Sequence, residues 1–397
     1  MAVNTMGIEQ AYSLLNSIHS QVTGKTTIAP IDTASFVSMA QATLQNGYEP
    51  VLNAISQVIT RTLIAVRPYE RKFKGLEYTA DKWGGITRKI SFADKALNTT
   101  DSTYALTDGA AIDQYIVNKP KVLETRYVGS AVYQGSYTIF TKQLDTAFSS
   151  PSEFAAFMSG LMEHFSNERE QWLEDLSRAI MANYIAAKEY LATPAGDPTT
   201  LHKVRALAEY NTETGLTLTA QTVRQPANFP AFAKWLYAKI QHLSELFTER
   251  SGMFQRGLTG YDIYRHTPKA DQKFYLDAAF LANVSAEVLA DTYHDSFLRY
   301  ADVEPVNFWQ SFMNPTSVTA KPVVLNANGT LSELSDAVEV TDILGVLMDR
   351  DAAGYNIYDE SIEVSPYNAS GQYYNMFSHV RVQLQNDLTE KGVLICM

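Results

Sequence analysis

The sequence predicts an α+β protein organised around one long helix. Ser150, Pro151 and Glu153 form a helix start with a capping box and proline at the first helical position. No Gly or Pro interrupts the chain from Leu161 to Ala192, and large apolar residues recur there at three- and four-residue steps. We therefore predict a helix over 151–188, roughly 55 Å long at 1.5 Å per residue, and call it the spine helix.

Strands are predicted both before and after the spine helix in the sequence. From Val122 to Phe140, residues alternate at period two, with Tyr127, Tyr133, Tyr137 and Ile139 on one face. A short strand is predicted at Lys273–Asp277. A terminal β ladder is predicted from three further runs, namely Val338–Met348, Tyr355–Val364 and Phe377–Gln385.

The regions between these elements are predicted with less regular structure. Residues 201–250 show helical spacing, and Ser285 is predicted to cap a short helix that carries Val288 and Leu289. The segment 300–335 contains three prolines and is predicted to be looped. Within residues 1–60, the helical spacing predicts helices around Ile8–Ile18 and Phe36–Ile59. These helices have little core of their own, so they must pack on the body of the protein or on a neighbouring chain.

A basic segment follows these first helices. Residues 61–95 carry nine basic and four acidic side chains, whereas the remaining chain has a net charge of −16. Gly75, Gly84 and Gly85 separate short β-prone runs, which favours a long two-stranded excursion over a helix. This segment is either a solvated hairpin or a basic surface that docks on an acidic neighbouring copy. The candidate inter-subunit contacts are Arg67, Arg71, Lys72, Lys74, Arg88 and Lys89.

Composition excludes several classes of function. The net charge of −11 argues against a protein whose main activity is gripping nucleic acid. Cys396 is the only cysteine, so neither an intramolecular disulfide nor a cysteine-based metal site is expected. The N-terminus does not resemble a signal peptide, and no apolar run is long enough to cross a bilayer. We expect a soluble protein from a reducing compartment, with no membrane partner.

The sequence contains no convincing catalytic or metal-binding motif. Neither Gly-x-Gly-x-x-Gly nor Gly-x-Ser-x-Gly occurs. His164 and Glu168 could share a metal, but an ordinary helix face is the preferred interpretation. The 349–360 segment matches part of a calcium-binding loop, yet Ala353 occupies a ligand position, so a β-turn is preferred there. We therefore predict no catalytic residue, no cofactor and no metal.

The order of these elements resembles the major capsid proteins of tailed bacteriophages, which share the Hong Kong 97 fold, and in particular the phi-29-like short-tailed branch. The likeness rests on Phe73-Lys74-Gly75 with Ser136–Phe148 and the spine helix, and on two later groups of segments. These are Lys273–Asp277 with Val288–Tyr293, and Leu347–Asp351 with Asn368–Phe377 and the closing strand.

The resemblance implies a Hong Kong 97-type domain organisation. It implies an N-terminal arm at 1–60, an extended β loop at 61–148, a peripheral domain at 149–225 with the spine helix, an axial domain with an insertion at 226–340, and a return to the peripheral domain at 341–397. The chain shows neither an appended immunoglobulin-like domain nor a long N-terminal extension, so a separate scaffolding protein is expected. No Lys–Asn cross-link is expected.

The implied function is the major head protein, which self-assembles into the icosahedral shell around the double-stranded DNA genome. The expected partners are other copies in hexamers and pentamers, a scaffolding protein, a portal and non-specifically contacted DNA, with assembly in the bacterial cytoplasm. Two alternatives remain open: a cellular nanocompartment shell of the same fold, which is usually shorter and lacks the 300–335 insertion, and a soluble enzyme whose site is formed by residues distant in sequence.

Overall fold

A computed structural model describes residues 6–25, 29–61, 69–78, 87–93, 107–109, 115, 117, 119, 121–289 and 303–397. The helices of this part of the chain are α1 (Ile8–Thr23), α2 (Thr33–Leu44), α3 (Tyr48–Arg61), α4 (Thr141–Ala147), α5 (Pro151–Leu191), α6 (Ala206–Thr214), α7 (Phe229–Thr248) and α8 (Ala278–Leu289).

Within the described residues, the strands fall into five small sheets. They are β1 (Thr87–Phe92), β2 (Val122–Tyr127), β3 (Ser130–Phe140), β4 (Lys203–Arg205), β5 (Gln272–Asp277), β6 (Val303–Val306), β7 (Val318–Ala320), β8 (Val323–Leu325), β9 (Leu331–Glu333), β10 (Val338–Val340), β11 (Ile343–Asp349), β12 (Ala353–Val364), β13 (Tyr373–Asn386) and β14 (Gly392–Cys396).

The chain divides into two compact units, each assembled from segments that are distant in sequence. The first unit takes in described residues of Met1–Gly85, Gly129–Leu176 and Tyr355–Gln383. The second takes in described residues of Ile86–Val128, Ser177–Gly354 and Leu384–Met397.

The first unit joins α1–α3 to the start of α5. Leu15 and Ile18 of α1, Phe36 of α2 and Ile55 of α3 are buried in the same core cluster as Phe154 of α5. The rings of Phe36 and Phe154 meet edge to face at 5.7 Å. The three N-terminal helices therefore pack on the body of their own chain, and the predicted second helix is two helices separated at Gln45–Gly47.

The sheet of the first unit has the order β12-β13-β3 and packs on α5. Strand β13 pairs antiparallel with β3 from Tyr373↔Phe140 to Gln383↔Ser130. Tyr133 stacks near Trp172 of α5 at 5.3 Å between ring centroids, and Ile139 is fully buried. The predicted period-two face is thus confirmed for β3, where it meets the spine helix, whereas the predicted run 122–140 is two strands in different sheets and Tyr127 of β2 bonds instead to Asp387 in the second unit.

The spine helix begins as predicted and ends three residues later than predicted. Pro151 is its first residue, and the Ser150 hydroxyl accepts the Glu153 N–H at 3.3 Å. Beyond Leu191 the chain folds back, since the Asp197 N–H bonds to the Leu191 carbonyl at 2.8 Å. The absence of helix-breaking residues therefore fixes the length of this element.

The second unit contains a five-stranded sheet in the order β4-β14-β11-β5-β6. Strand β14 pairs antiparallel with β11 and parallel with β4. Helix α7 covers this sheet, and its Phe232 and Leu236 share a core with Phe274, Leu347 and Ile395. The sequence interpretation did not include β14.

Two predictions in the second unit are wrong. The helix assigned to Ser285 begins earlier, at Ala278, because the Asp277 carboxylate at the end of β5 accepts the Phe280 N–H at 2.8 Å and caps it. Ser285 lies inside α8. The predicted strand 338–348 is two strands, β10 and β11, because Asp342 adopts a left-handed backbone with φ of 53° and breaks the run.

The insertion at 300–335 is more ordered than predicted. Its described residues contain the strands β6, β7, β8 and β9, and β7 pairs with β10 from Val338↔Ala320 to Val340↔Val318. The predicted helical region 201–250 contains α6 and α7 with a connection between them.

Lys188 of α5 is fully buried in the second unit. Its ammonium donates to the Phe254 carbonyl at 2.9 Å and lies 5.5 Å from the centre of the Tyr184 ring. Burial lowers the pKa of Lys188 to about 7, although Asp387 and Asp197 oppose this shift. His202, whose pKa is lowered to about 3 by burial and by Lys188, is neutral beside it.

Stability is expected to rise with pH because of Lys188. Above the folded pKa of about 7, the unfolded chain still binds the proton that the folded chain has lost. The free energy of unfolding should therefore rise by up to about 1.4 kcal/mol per pH unit above about pH 7, until the pH approaches 10.5, the ordinary pKa of lysine. Urea unfolding of wild type and Lys188→Met measures this, and the variant should lose the slope. Lys391 titrates in the same direction in both proteins, so equal slopes would contradict the prediction.

Candidate functional site

The basic segment 61–95 contributes residues to two separate charged clusters, one in each unit. We call the first the Arg71 cluster (Arg71, Glu77, Glu170 and Tyr355) and the second the Lys89 cluster (Lys89, Tyr127, Arg265, Asp387 and Glu390). A two-stranded β1–β2 ribbon carries Lys89 and has a second, outward face.

Arg71 is nearly inaccessible, with 4% of its side chain exposed. One guanidinium nitrogen, Nη1, donates to both carboxylate oxygens of Glu170 of α5 at 2.7 Å, and the other, Nη2, donates to Glu77. The guanidinium also lies 5.9 Å from the centre of the Tyr355 ring. The adjacent Lys72 N–H donates to the Glu174 carboxylate at 2.7 Å. Arg71 thereby ties the start of the excursion to the spine helix.

Lys89 makes a comparable connection in the second unit. Its ammonium donates to Asp387 Oδ2 at 2.7 Å and to Glu390, and the Tyr127 hydroxyl donates to the same Asp387 oxygen at 2.6 Å. Arg265 approaches Glu390 at 3.4 Å and donates to the Ser91 hydroxyl at 2.9 Å. These bonds fasten one face of the ribbon to the turn that precedes β14.

The electrostatics of the Lys89 cluster follow from burial and pairing. Burial disfavours the charged form of Asp387, but Lys89, Thr389 and Tyr127 outweigh it and hold the Asp387 pKa below its ordinary value. Burial likewise opposes the charge on Lys89, and Asp387 and Glu390 together raise the Lys89 pKa. Burial dominates at Glu390 and raises the pKa of that carboxyl. Asp387 is therefore the ionised anchor of the cluster.

The register of the ribbon separates its two faces. Strands β1 and β2 pair antiparallel, with Arg88 opposite Arg126, Ile90 opposite Glu124 and Phe92 opposite Val122. We call these six residues the outer face of the ribbon. Phe92, Ile90 and Val122 are 64%, 49% and 46% exposed. Glu124 pairs with Arg126 at 2.7 Å and with Arg88 at 3.8 Å.

The structure thus separates the six candidate contact residues. Arg71 and Lys89 make buried or half-buried ion pairs within their own chain, whereas Lys72, Lys74 and Arg88 have exposed side chains, and Arg88 also lies 3.8 Å from Glu124. Arg67 lies outside the described residues. The sequence interpretation missed the apolar members of the outer face, although the alternation Arg88-Lys89-Ile90-Ser91-Phe92 was a signal that could have found them.

The two motifs weighed as metal sites have ordinary structural roles. The His164 ring lies 3.3 Å from Glu168 one turn along the spine helix, with both side chains accessible. Asp349 ends β11 and accepts bonds from the Thr267 hydroxyl at 2.6 Å and the Asp351 N–H at 2.8 Å, and a turn follows it. His164 and Glu168 thus lie on an accessible face of the spine helix, and the chain turns between β11 and β12 after Asp349.

Among the residues that the structure describes, no group of three or more His, Cys, Asp or Glu side chains could hold a metal ion. No helix among them is both long enough and apolar enough to span a membrane.

Comparison with solved structures defines the class of protein by its fold. A chain from the capsid structure of Staphylococcus phage Andhra matches with a TM-score of 0.53 at 11% identity, covering 84% of this chain and 86% of that chain. A chain from a structure of the head fiber and inner core protein gp22 of native bacteriophage P68 matches with a TM-score of 0.53 at 10% identity, covering 83% and 85%. The fold is the mixed α+β fold of HK97-like phage capsid proteins.

The family follows from the sequence itself. The model of the Phi29-like phage major capsid protein family matches residues 14–396, so the chain belongs to this family. It is a major capsid protein that forms the head shell of a tailed phage, a structural component of the virion and not an enzyme. No curated protein gives a significant match. The resemblance inferred from the sequence is confirmed, and the nanocompartment and enzyme alternatives lose their support.

Proposed function

We propose that the chain assembles into hexamers and pentamers of an icosahedral shell around double-stranded DNA, and that the outer face of the ribbon is a contact between neighbouring copies. The exposed basic residues Lys72, Lys74 and Arg88 contribute to the same kind of contact. The observation that carries this proposal is the exposure of Phe92, Ile90 and Val122 on a two-stranded ribbon whose other face is bonded to the body.

Burial of these apolar side chains supplies the driving force. Fully covering one large aliphatic or aromatic side chain contributes about 1.5–3 kcal/mol. Shells with pentamers and hexamers use heterologous contacts, in which a projection on one copy meets a different surface of the next. The basic segment 61–95 has a net charge of +5 against −16 on the remaining chain, which favours correct orientation during encounter.

The internal pairs have a supporting role in this proposal. Arg71 holds its own segment against the spine helix in the first unit, and Lys89 holds β1 in the second unit and thereby limits the positions that the ribbon can adopt. A ribbon that is already ordered loses less conformational entropy when it docks. Lys89 thus acts through the placement of the contact surface, while Arg88 and the apolar residues meet the neighbour.

We propose the following roles for the remaining parts of the chain and for its partners. Residues 1–60 are the N-terminal arm, 61–148 the extended loop, 149–225 and 341–397 the peripheral domain, and 226–340 the axial domain with its insertion. A separate scaffolding protein and a portal take part in assembly in the host cytoplasm. The packaged DNA contacts the shell without sequence preference, and these contacts are weak because the net charge of −11 disfavours tight phosphate binding.

A double variant of the outer face tests the contact. Phe92→Ser combined with Val122→Ser removes two apolar side chains that lie directly opposite each other. We expect the concentration needed for assembly to rise at least about tenfold, because about 1.4 kcal/mol per subunit has that effect. Negative-stain electron microscopy and sizing chromatography measure it on the protein made with its neighbouring genes.

The matched control keeps an apolar outer face. Phe92→Leu combined with Val122→Ile should assemble like wild type, and all three proteins should melt at similar temperatures as unassembled chains because the changed side chains are exposed. Shells from the serine variant at the wild-type concentration would refute the contact. A wild-type chain that stays monomeric or dimeric under every condition would refute the proposed assembly.

A further inference from the structure

A second exposed apolar feature lies far from the ribbon in the sequence. Phe312 and Met313 form the tip of a tight turn within the insertion of the second unit, and each is 75% exposed. We call residues 309–317 the insertion turn. Two adjacent large apolar side chains in water are unfavourable unless something covers them.

The insertion turn is braced by hydrogen bonds. The Trp309 N–H bonds to the Pro315 carbonyl at 3.0 Å, and the Asn314 N–H bonds to the Ser311 carbonyl at 3.2 Å. The Gln310 side chain donates to the Thr319 carbonyl at 2.9 Å and accepts the Thr319 N–H at 2.7 Å. The backbone that presents the two apolar side chains is therefore held in one conformation.

The base of the insertion turn is anchored in the interior. Trp309 is completely buried, and the Arg178 guanidinium of α5 lies 3.6 Å from the centre of the Phe308 ring and donates to the Phe308 carbonyl. A turn braced in this way has already lost most of its conformational entropy before it meets a partner. Such pre-organisation is what makes an exposed apolar pair an effective contact.

Charge points to the kind of partner. Residues 305–320 contain no Asp, Glu, Lys or Arg, although the whole chain carries a net charge of −11. Two copies of this chain repel each other on average, and an uncharged projection is the type of surface that can enter contact without adding to that repulsion. It also offers no cation for an acidic partner and no anion for a basic one.

From these observations we infer that the insertion turn is a self-association element: Phe312 and Met313 of one copy bury against a neighbouring copy of the same chain in the shell. The inference rests on the proposed function, because it requires copies to assemble. It adds a contact that is independent of the ribbon and that contains no ion pair. Its occupant is a second copy, and any other protein at this position contradicts it.

A photo-crosslinker placed at the tip identifies the occupant. Phe312→p-benzoylphenylalanine, produced in the full chain with the neighbouring genes, is irradiated in the assembled fraction and in the unassembled fraction of the same preparation. We expect a dimer-sized adduct of this chain in the assembled fraction, with the peptide of residue 312 joined to a second copy, and none in the unassembled fraction. Shells with no such adduct, or with an adduct to a different protein, overturn the inference and leave shell assembly intact.

A pair of variants gives a second readout. Phe312→Ser combined with Met313→Ser should raise the concentration needed for assembly at least about tenfold with an unchanged melting temperature. Phe312→Leu combined with Met313→Leu should assemble like wild type. Normal assembly of the serine variant overturns the inference. If wild type also fails to form shells in the same conditions, the proposed function itself is overturned. The wild-type sample therefore distinguishes failure of this inference from failure of the proposed function.

Discussion

Arg71→Ala is expected to destabilise the first unit by about 3 kcal/mol, because removing one member of a buried ion pair leaves the other charge without compensation. Here two carboxylates are affected. Glu170 and Glu77 keep only 15% and 29% of their side chains exposed, so water replaces the lost guanidinium incompletely. The Lys72 N–H bond to Glu174 at 2.7 Å lies next to this site and should loosen with it.

Urea unfolding of the unassembled chain at neutral pH measures the effect. Lys74→Ala is the matched control: it removes a cation three residues away whose side chain is exposed, and it should change the free energy of unfolding by less than about 0.5 kcal/mol. Arg71→Lys keeps the charge but cannot reach both Glu170 oxygens and Glu77 together, so it should fall between the two. Equal midpoints for Arg71→Ala and Lys74→Ala would show that the pairing contributes nothing.

Asp387→Ala is expected to have the second large effect, again about 3 kcal/mol on the second unit. Asp387 accepts bonds from the Lys89 ammonium, the Tyr127 hydroxyl and the Thr389 N–H and hydroxyl, at 2.6 to 2.9 Å. Its removal leaves Lys89 with Glu390, a carboxyl whose pKa is raised by burial. The inner face of the ribbon should therefore detach more readily, and assembly should weaken as well.

Two measurements separate these effects. Urea unfolding gives the loss of stability, and amide hydrogen exchange of the ribbon gives its local opening, which should become faster than in wild type. Asp359→Ala is the matched control, since Asp359 pairs with Arg381 at 3.4 Å with both side chains about half exposed. If the ribbon amides of Asp387→Ala exchange at the wild-type rate, the Lys89 cluster does not hold the ribbon.

The parts of the fold that were predictable are those with a strong local pattern. The spine helix was located to within three residues, because its capping residues and its uninterrupted apolar spacing are all local signals. The start of α8 was not located, because Asp277 ends a buried strand and caps the following helix at once, while Ser285 offers a more conventional cap signal inside the helix. Strand β14 is five residues long and gives no periodicity to read.

The candidate site likewise has one part that could be predicted from the sequence and another that could not. The excess of basic residues in 61–95 is visible in the sequence, which predicted a solvated hairpin or a contact with a neighbouring copy and did not predict the ion pairs of Arg71 and Lys89 within their own chain. The partners are not visible, because Glu170 lies 99 positions from Arg71, and Asp387 lies 298 positions from Lys89. Only the folded topology brings such residues together. The apolar outer face was overlooked because charge dominates that segment, although the alternation of its residues was readable.

The position of β14 has a consequence for synthesis of the chain. This strand lies between β4 and β11, so neither of those strands has its full set of neighbours until residue 396 has been made. A nascent chain that has emerged only as far as β11 presents an open strand edge that is apolar up to Asp349, and such an edge is a template for pairing with another nascent chain. Many copies of a shell protein are made at once, so incorrect strand pairing between nascent chains is most frequent on the polysome, where these chains are close together. We expect newly made chains to depend on a chaperone that covers this edge during the interval.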